Sequence, residues 1–128
     1  MLSPADLETP IVQAPLAGGP STPALAAAVS DAGGLGFIAA GYKPPDAVRA
    51  DIEETRRLTG RPFGVNLFAP PGPPADPAVV ERYAATLGPG TGEPRHDDDH
   101  WAAKLELIVA QWSSSWRGSP VPGPSVAA

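Results

Sequence analysis

The chain has 128 residues, 18 of them proline and 14 glycine, so a quarter of it resists the interiors of helices and strands, about twice the usual share. Hydrophobic residues still make up 42% and the mean hydropathy is near zero, which is enough for one small core. A net charge of −5 with nine basic residues excludes the electrostatic footprint of a nucleic-acid or anionic-membrane binder, and the lack of cysteine excludes a disulfide framework, a thiolate metal site and a thiol nucleophile.

No window approaches the roughly 18 apolar residues of a membrane span, and the start, Met1-Leu2-Ser3-Pro4, lacks a basic, then apolar, leader. The cytoplasm is the expected compartment.

From Pro10 to Phe68 short apolar runs alternate with helix-patterned ones, and the breakers stand at the joints, the pattern of βα units. Ile11-Val12-Gln13-Ala14 reads as a first strand covered on both faces, ended by Pro15. After the turn Leu16-Ala17-Gly18-Gly19-Pro20, Ser21 or Thr22 caps a helix that has Pro23 in its first turn and stops at Gly33-Gly34. Leu35 to Ala40 is a second buried strand, with Gly41-Tyr42-Lys43-Pro44 as its exit. A helix then starts near Pro45, carries Val48, Ile52 and Thr55 on one side, and closes at Gly60. Pro62 to Phe68 is the third strand, apolar except for Asn66.

Ala69 to Pro77 holds five prolines in nine residues and is a loop or extended linker. Pro77 to Leu87 is a third helix with Val79, Val80, Tyr83 and Leu87 on one stripe, Gly88 to Pro94 is flexible, and Trp101 to Ala110 is a fourth helix behind three aspartates. The organisation expected is a βα portion over residues 1–110 and a disordered or frameshifted tail over 111–128. Codons compatible with Trp112-Ser113-Ser114-Ser115-Trp116, shifted by one base, spell Val-Val-Val-Leu, the buried strand that a βα repeat requires there.

Three parallel strands ending at Ala14, Ala40 and Leu67 bring residues 15–19, 41–43 and 66–68 to one carboxyl edge, where ligands bind in parallel sheets. Asn66 is the most informative residue. Its amide either satisfies neighbouring backbone or offers a donor and an acceptor to the imide edge of a flavin or a pyrimidine. Gly33-Gly34-Leu35-Gly36 lies between a helix and a strand, the wrong order for a dinucleotide loop. His96 and His100 flank three aspartates and read as a solvated capping cluster with Asp98 or Asp99 as the cap, not as a metal site. Ser113-Ser114-Ser115 has no candidate base.

Three motifs then make a specific match. Pro10-Ile11-Val12-Gln13-Ala14-Pro15-Leu16-Ala17-Gly18-Gly19, Leu25 through Gly36-Phe37, and Arg61-Pro62-Phe63-Gly64-Val65-Asn66-Leu67-Phe68 resemble the opening of the nitronate monooxygenase family, also called 2-nitropropane dioxygenases. The resemblance implies an α/β fold made of the first βα units of an FMN-binding TIM (β/α)8 barrel, incomplete in this chain. It implies FMN as cofactor, with the Ala14-Pro15-Leu16 backbone against the isoalloxazine ring and Asn66 hydrogen-bonded to the flavin. The family often has methionine where Leu16 stands. An alkyl nitronate and dioxygen are the implied partners. The family's catalytic histidine and phosphate-binding glycine loops belong to sequence that this chain does not contain, so no catalytic residue is assigned and the chain alone is expected to be inactive. The alternatives are a related FMN-dependent enoyl-acyl carrier protein reductase and an inactive truncated gene product.

Overall fold

The computed structural model describes residues 4–87 and 97–115. A 3-10 turn at Pro4–Asp6 leads into an extended segment. Then follow α1 (Pro23–Asp31), β1 (Gly36–Ala39), α2 (Pro45–Leu58), β2 (Phe63–Asn66), α3 (Pro77–Thr86) and α4 (Trp101–Ser115). The two strands are parallel, with Gly36 opposite Phe63 and Ala39 opposite Asn66, and Ala40 N–H extends the ladder to Asn66 O. The helices begin as the sequence indicates. Thr22, not Ser21, caps α1 by accepting from Leu25 N–H, and Asp76 caps α3 by accepting from Ala78 N–H. Gly33, at φ 86°, makes the left-handed turn after α1 that a side chain would resist.

The first strand differs from expectation. Residues 9–13 run parallel to 33–35, donating from Thr9 N and Gln13 N and accepting at Ile11 O, but only one bridge forms, Val12 to Leu35. The reason lies in two side groups. The Gln13 carboxamide oxygen takes Phe37 N–H in place of Gln13's own carbonyl, and Pro15 has no N–H to give to the next rung. Nor is the segment covered on both faces. Ile11 is 59% and Val12 49% exposed, because no described chain pairs with its outer edge. The third strand is likewise shorter than Pro62–Phe68 and only half-buried, since β2 is the other edge.

The core forms on one side of the sheet. Ala26 of α1, Ile38 and Ala40, Val48 and Ile52 of α2 and Leu107 of α4 are buried together, with Phe63, Val65, Leu67 and Ile108 packed against them. Each fully buried valine, leucine or isoleucine side chain contributes roughly 1.5–3 kcal/mol, and each alanine methyl less. Strand alternation therefore sends Phe37, Ala39, Gly64 and Asn66 to the opposite face. Phe37 lies across Gly64, where an added β-carbon would come 2.2 Å from its ring.

The expected apolar stripe of α3 finds no described partner, and none of its residues is buried. Residue 110 falls inside α4, which continues to Ser115, and Arg56 of α2 donates to the Gln111 carbonyl at 2.9 Å. The expectations for Gly88 to Pro94, for His96 and for the tail beyond Ser115 lie outside the described residues.

Candidate functional site at the carboxyl edge of the sheet

Because the extended segments are parallel, their exits share one edge. Residues 14–19 leave the first segment, Gly41 to Pro44 leave β1, and Leu67 and Phe68 leave β2. Two strand spacings, about 10 Å, separate the first and third exits.

The first exit is held by side chains. Ser21, fully buried, accepts from Leu16 N–H at 2.7 Å and from the Gln13 amide at 3.0 Å. The same Gln13 amide donates to Ala14 O at 2.7 Å, and Ser21 N–H donates to Leu16 O at 3.3 Å. Both backbone polar groups of Leu16 are thus committed, so a ligand would meet this residue through its half-exposed side chain and the peptide plane. Gly18 and Gly19 follow at φ 84° and 128°, with open space where a side chain would stand, so backbone can approach a ligand there.

Asn66 ends β2 on the face turned away from the helices. Its backbone oxygen accepts from Ala40 N–H, but among the described residues its half-buried side-chain amide has no hydrogen-bond partner. The purely structural reading, in which the amide satisfies nearby backbone, has no bond to support it. Ala14, Pro15 and Leu16 stand at the same edge as Asn66, one at each flank of β1.

The middle exit holds residues that sequence reasoning did not single out for the site. Lys104 of α4 is fully buried and donates to Ala40 O at 2.9 Å and to Asp99 Oδ2 at 2.7 Å. Asp99 Oδ1 accepts from Tyr42 N–H at 3.0 Å. Asp99 is therefore not a solvated cap, its side chain being 12% exposed. Asp98 instead accepts from His100 N–H, and Asp97 from Asp99 N–H. A sequence signal existed: Lys104 stands three residues before Leu107 and four before Ile108, on the stripe that packs against the core. Among the described residues no cluster of histidine and carboxylates has metal-binding geometry.

Groups with altered ionisation lie on α2 and at the amino edge. The hydrogen bond from Arg57 holds the Glu54 carboxyl below its usual range, and Glu8 raises Arg61 above the usual arginine value with help from Asp31. A small cavity of about 110 Å³ between Glu8, Ser30, Gly34 and Arg61 is also at that end.

Comparison with known proteins agrees with this geometry. The curated nitronate monooxygenase of Paraburkholderia phytofirmans is 48% identical over 83 residues, 65% of this chain and 22% of the relative. That of Pseudomonas aeruginosa is 56% identical over 83 residues, 65% of this chain and 23% of its own length. The chain thus spans about a fifth of the length of the curated relatives it matches. Among solved structures, nitroalkane oxidase from Streptomyces ansochromogenes superposes with a TM-score of 0.67 at 44% identity, over 84% of this chain and 32% of that one. FabK from Thermotoga maritima gives 0.56 at 30% identity, over 82% and 25%. The parallel βα units are a partial match to these TIM barrels. The sequence model of the family described as nitronate monooxygenase matches residues 4–112, and the chain belongs to that family.

Proposed function

We propose that this chain carries the amino-terminal, ring-facing part of the flavin site of an FMN-dependent oxidoreductase that oxidises alkyl nitronates with dioxygen. The observation that carries the reading is Asn66, whose amide has no hydrogen-bond partner among the described residues and stands at the carboxyl edge of the parallel sheet in a chain of this family. An amide there offers one edge with both a donor and an acceptor, the pattern of a flavin's imide. FMN supplies the electron-accepting chemistry when bound. The residues present suit such a group. Ala14, Pro15 and Leu16 give a stretch of backbone that Gln13 and Ser21 hold in place, and the open space at Gly18 and Gly19 leaves room for a flat ring. The chain's own contribution is to bind and orient, since none of its side chains is assigned a catalytic role.

The test uses a hybrid in which residues 4–112 replace the matching segment of the Pseudomonas aeruginosa relative. Asn66→Ala in that hybrid removes a hydrogen bond to a buried partner, a loss of about 1–3 kcal/mol. This corresponds to an FMN Kd roughly 5- to 150-fold weaker. Unchanged affinity by fluorescence titration removes Asn66 from the site.

A further inference from the structure

The loop that leaves β1 is held by residues 57 and 64 positions away, and the holding groups are charged. Lys104 carries its ammonium into a fully buried position, which is tolerable only because Ala40 O and Asp99 Oδ2 receive it. Asp99 passes the connection on through its second oxygen to Tyr42 N–H. Tyr42 has a φ of 64°, Asp99 49° and His100 55°, so three residues with side chains adopt the left-handed region where two chain segments meet. Such strain persists only where the surroundings impose it, and it gathers at functional positions. Here it has a visible product. Tyr42 is 66% exposed, and its ring meets Phe68 edge to face, with centroids 5.1 Å apart at 77°. Phe68 rests in turn on Gly41, where an added β-carbon would come 2.4 Å from its ring. Phe68 follows Asn66 by two residues, so the aromatic pair stands at the same exit of β2 as that amide.

We propose that Lys104 is a positioning residue: with Asp99 it clamps the loop after β1 so that Tyr42, backed by Phe68, forms an aromatic wall of the ligand site beside Asn66. The wall rests on the flavin-site reading above, whereas the clamp does not. An exposed aromatic ring fixed in direction by a buried ion pair offers a flat apolar surface to a ring or an alkyl group, at less ordering cost than a free loop.

The clamp is tested on the 128-residue chain by NMR. Lys104→Met keeps the apolar stem and removes the ammonium. It should abolish cross-peaks between the Tyr42 and Phe68 rings and speed exchange of the Tyr42 amide at least tenfold, while contacts among Ile38, Val48 and Ile52 persist. Persistent Tyr42–Phe68 cross-peaks overturn the clamp. Should Lys104→Met fail to fold, the double variant Lys104→Met/Asp99→Ala, which leaves no unpaired charge behind, must produce the same selective loss, and retention again overturns it. Tyr42→Ala should leave the Lys104 ammonium protected from exchange, which separates the clamp from what it holds.

The wall is tested in the hybrid by FMN titration, where Tyr42→Ala should weaken binding several-fold and an unchanged Kd overturns the wall. A hybrid that binds no FMN with Tyr42 intact strikes down the flavin-site reading and the wall together, and the NMR result still decides the clamp.

Discussion

At the residue scale, two glycines show how closely the layers approach. A β-carbon on Gly36 would fall 1.9 Å from Ala26 O, a backbone atom that cannot move aside without shifting α1. Gly60, between α2 and β2, has nothing within 4 Å of the same position. Gly36→Ala should therefore destabilise by about 3 kcal/mol, the upper end of ordinary overpacking, whereas Gly60→Ala should be close to neutral. Urea midpoints compare them directly, and equal midpoints would show that α1 does not pack on β1 as described. The residue scale also shows what a sequence conceals. That Asn66 sits at a strand end is visible from its apolar neighbours, but that its amide goes without a partner depends on which atoms surround it. The pairing of Lys104 with Ala40 O was hidden by 64 residues of separation.

At the element scale, punctuation explains why the helices were legible. Proline at the first helical position and a capping side chain ahead of it mark the starts of α1 and α3, and Gly33 marks the end of α1. The strands were less so, because a strand's extent depends on its neighbours. Pro15 cuts the first ladder short, and the open edge leaves Ile11 and Val12 exposed although their apolar run suggested burial. α4 joins the core through Leu107, so Leu107→Ala should cost about 2–5 kcal/mol by leaving a cavity. A cost below about 0.5 kcal/mol on thermal or urea unfolding would mean that α4 is not part of the fold. The last turns of α2 provide a test with acid. Glu54 is held below the ordinary carboxylate range by Arg57, so its contribution is present above that range and is lost as pH falls through the lowered value. Arg57→Gln should return the Glu54 carboxyl to its usual titration, read from its side-chain carbon shift. An unchanged midpoint would break the assignment.

At the scale of the molecule, helices cover one face of the sheet and leave Phe37, Gly64 and Asn66 on the other, and among the described residues nothing pairs with the outer edges at Val12 and at β2. Open parallel edges invite pairing with another chain. The isolated chain should associate as its concentration rises, and Val12→Lys, which places a charge on the edge, should reduce that association in sedimentation velocity. Equal association would locate the contact elsewhere. The extended segments also present only one arc of a ligand-binding edge, so the isolated chain should lose FMN on desalting and should not turn over nitronates.

If residues 4–112 supply the flavin-facing part proposed above, they must complete a barrel that retains FMN. The most direct test is the flavin content of the Pseudomonas aeruginosa hybrid after gel filtration, read from absorbance. A monodisperse yellow protein with close to one FMN per chain is expected. A folded hybrid of the same size that emerges colourless, and stays so after incubation with excess FMN, would contradict it.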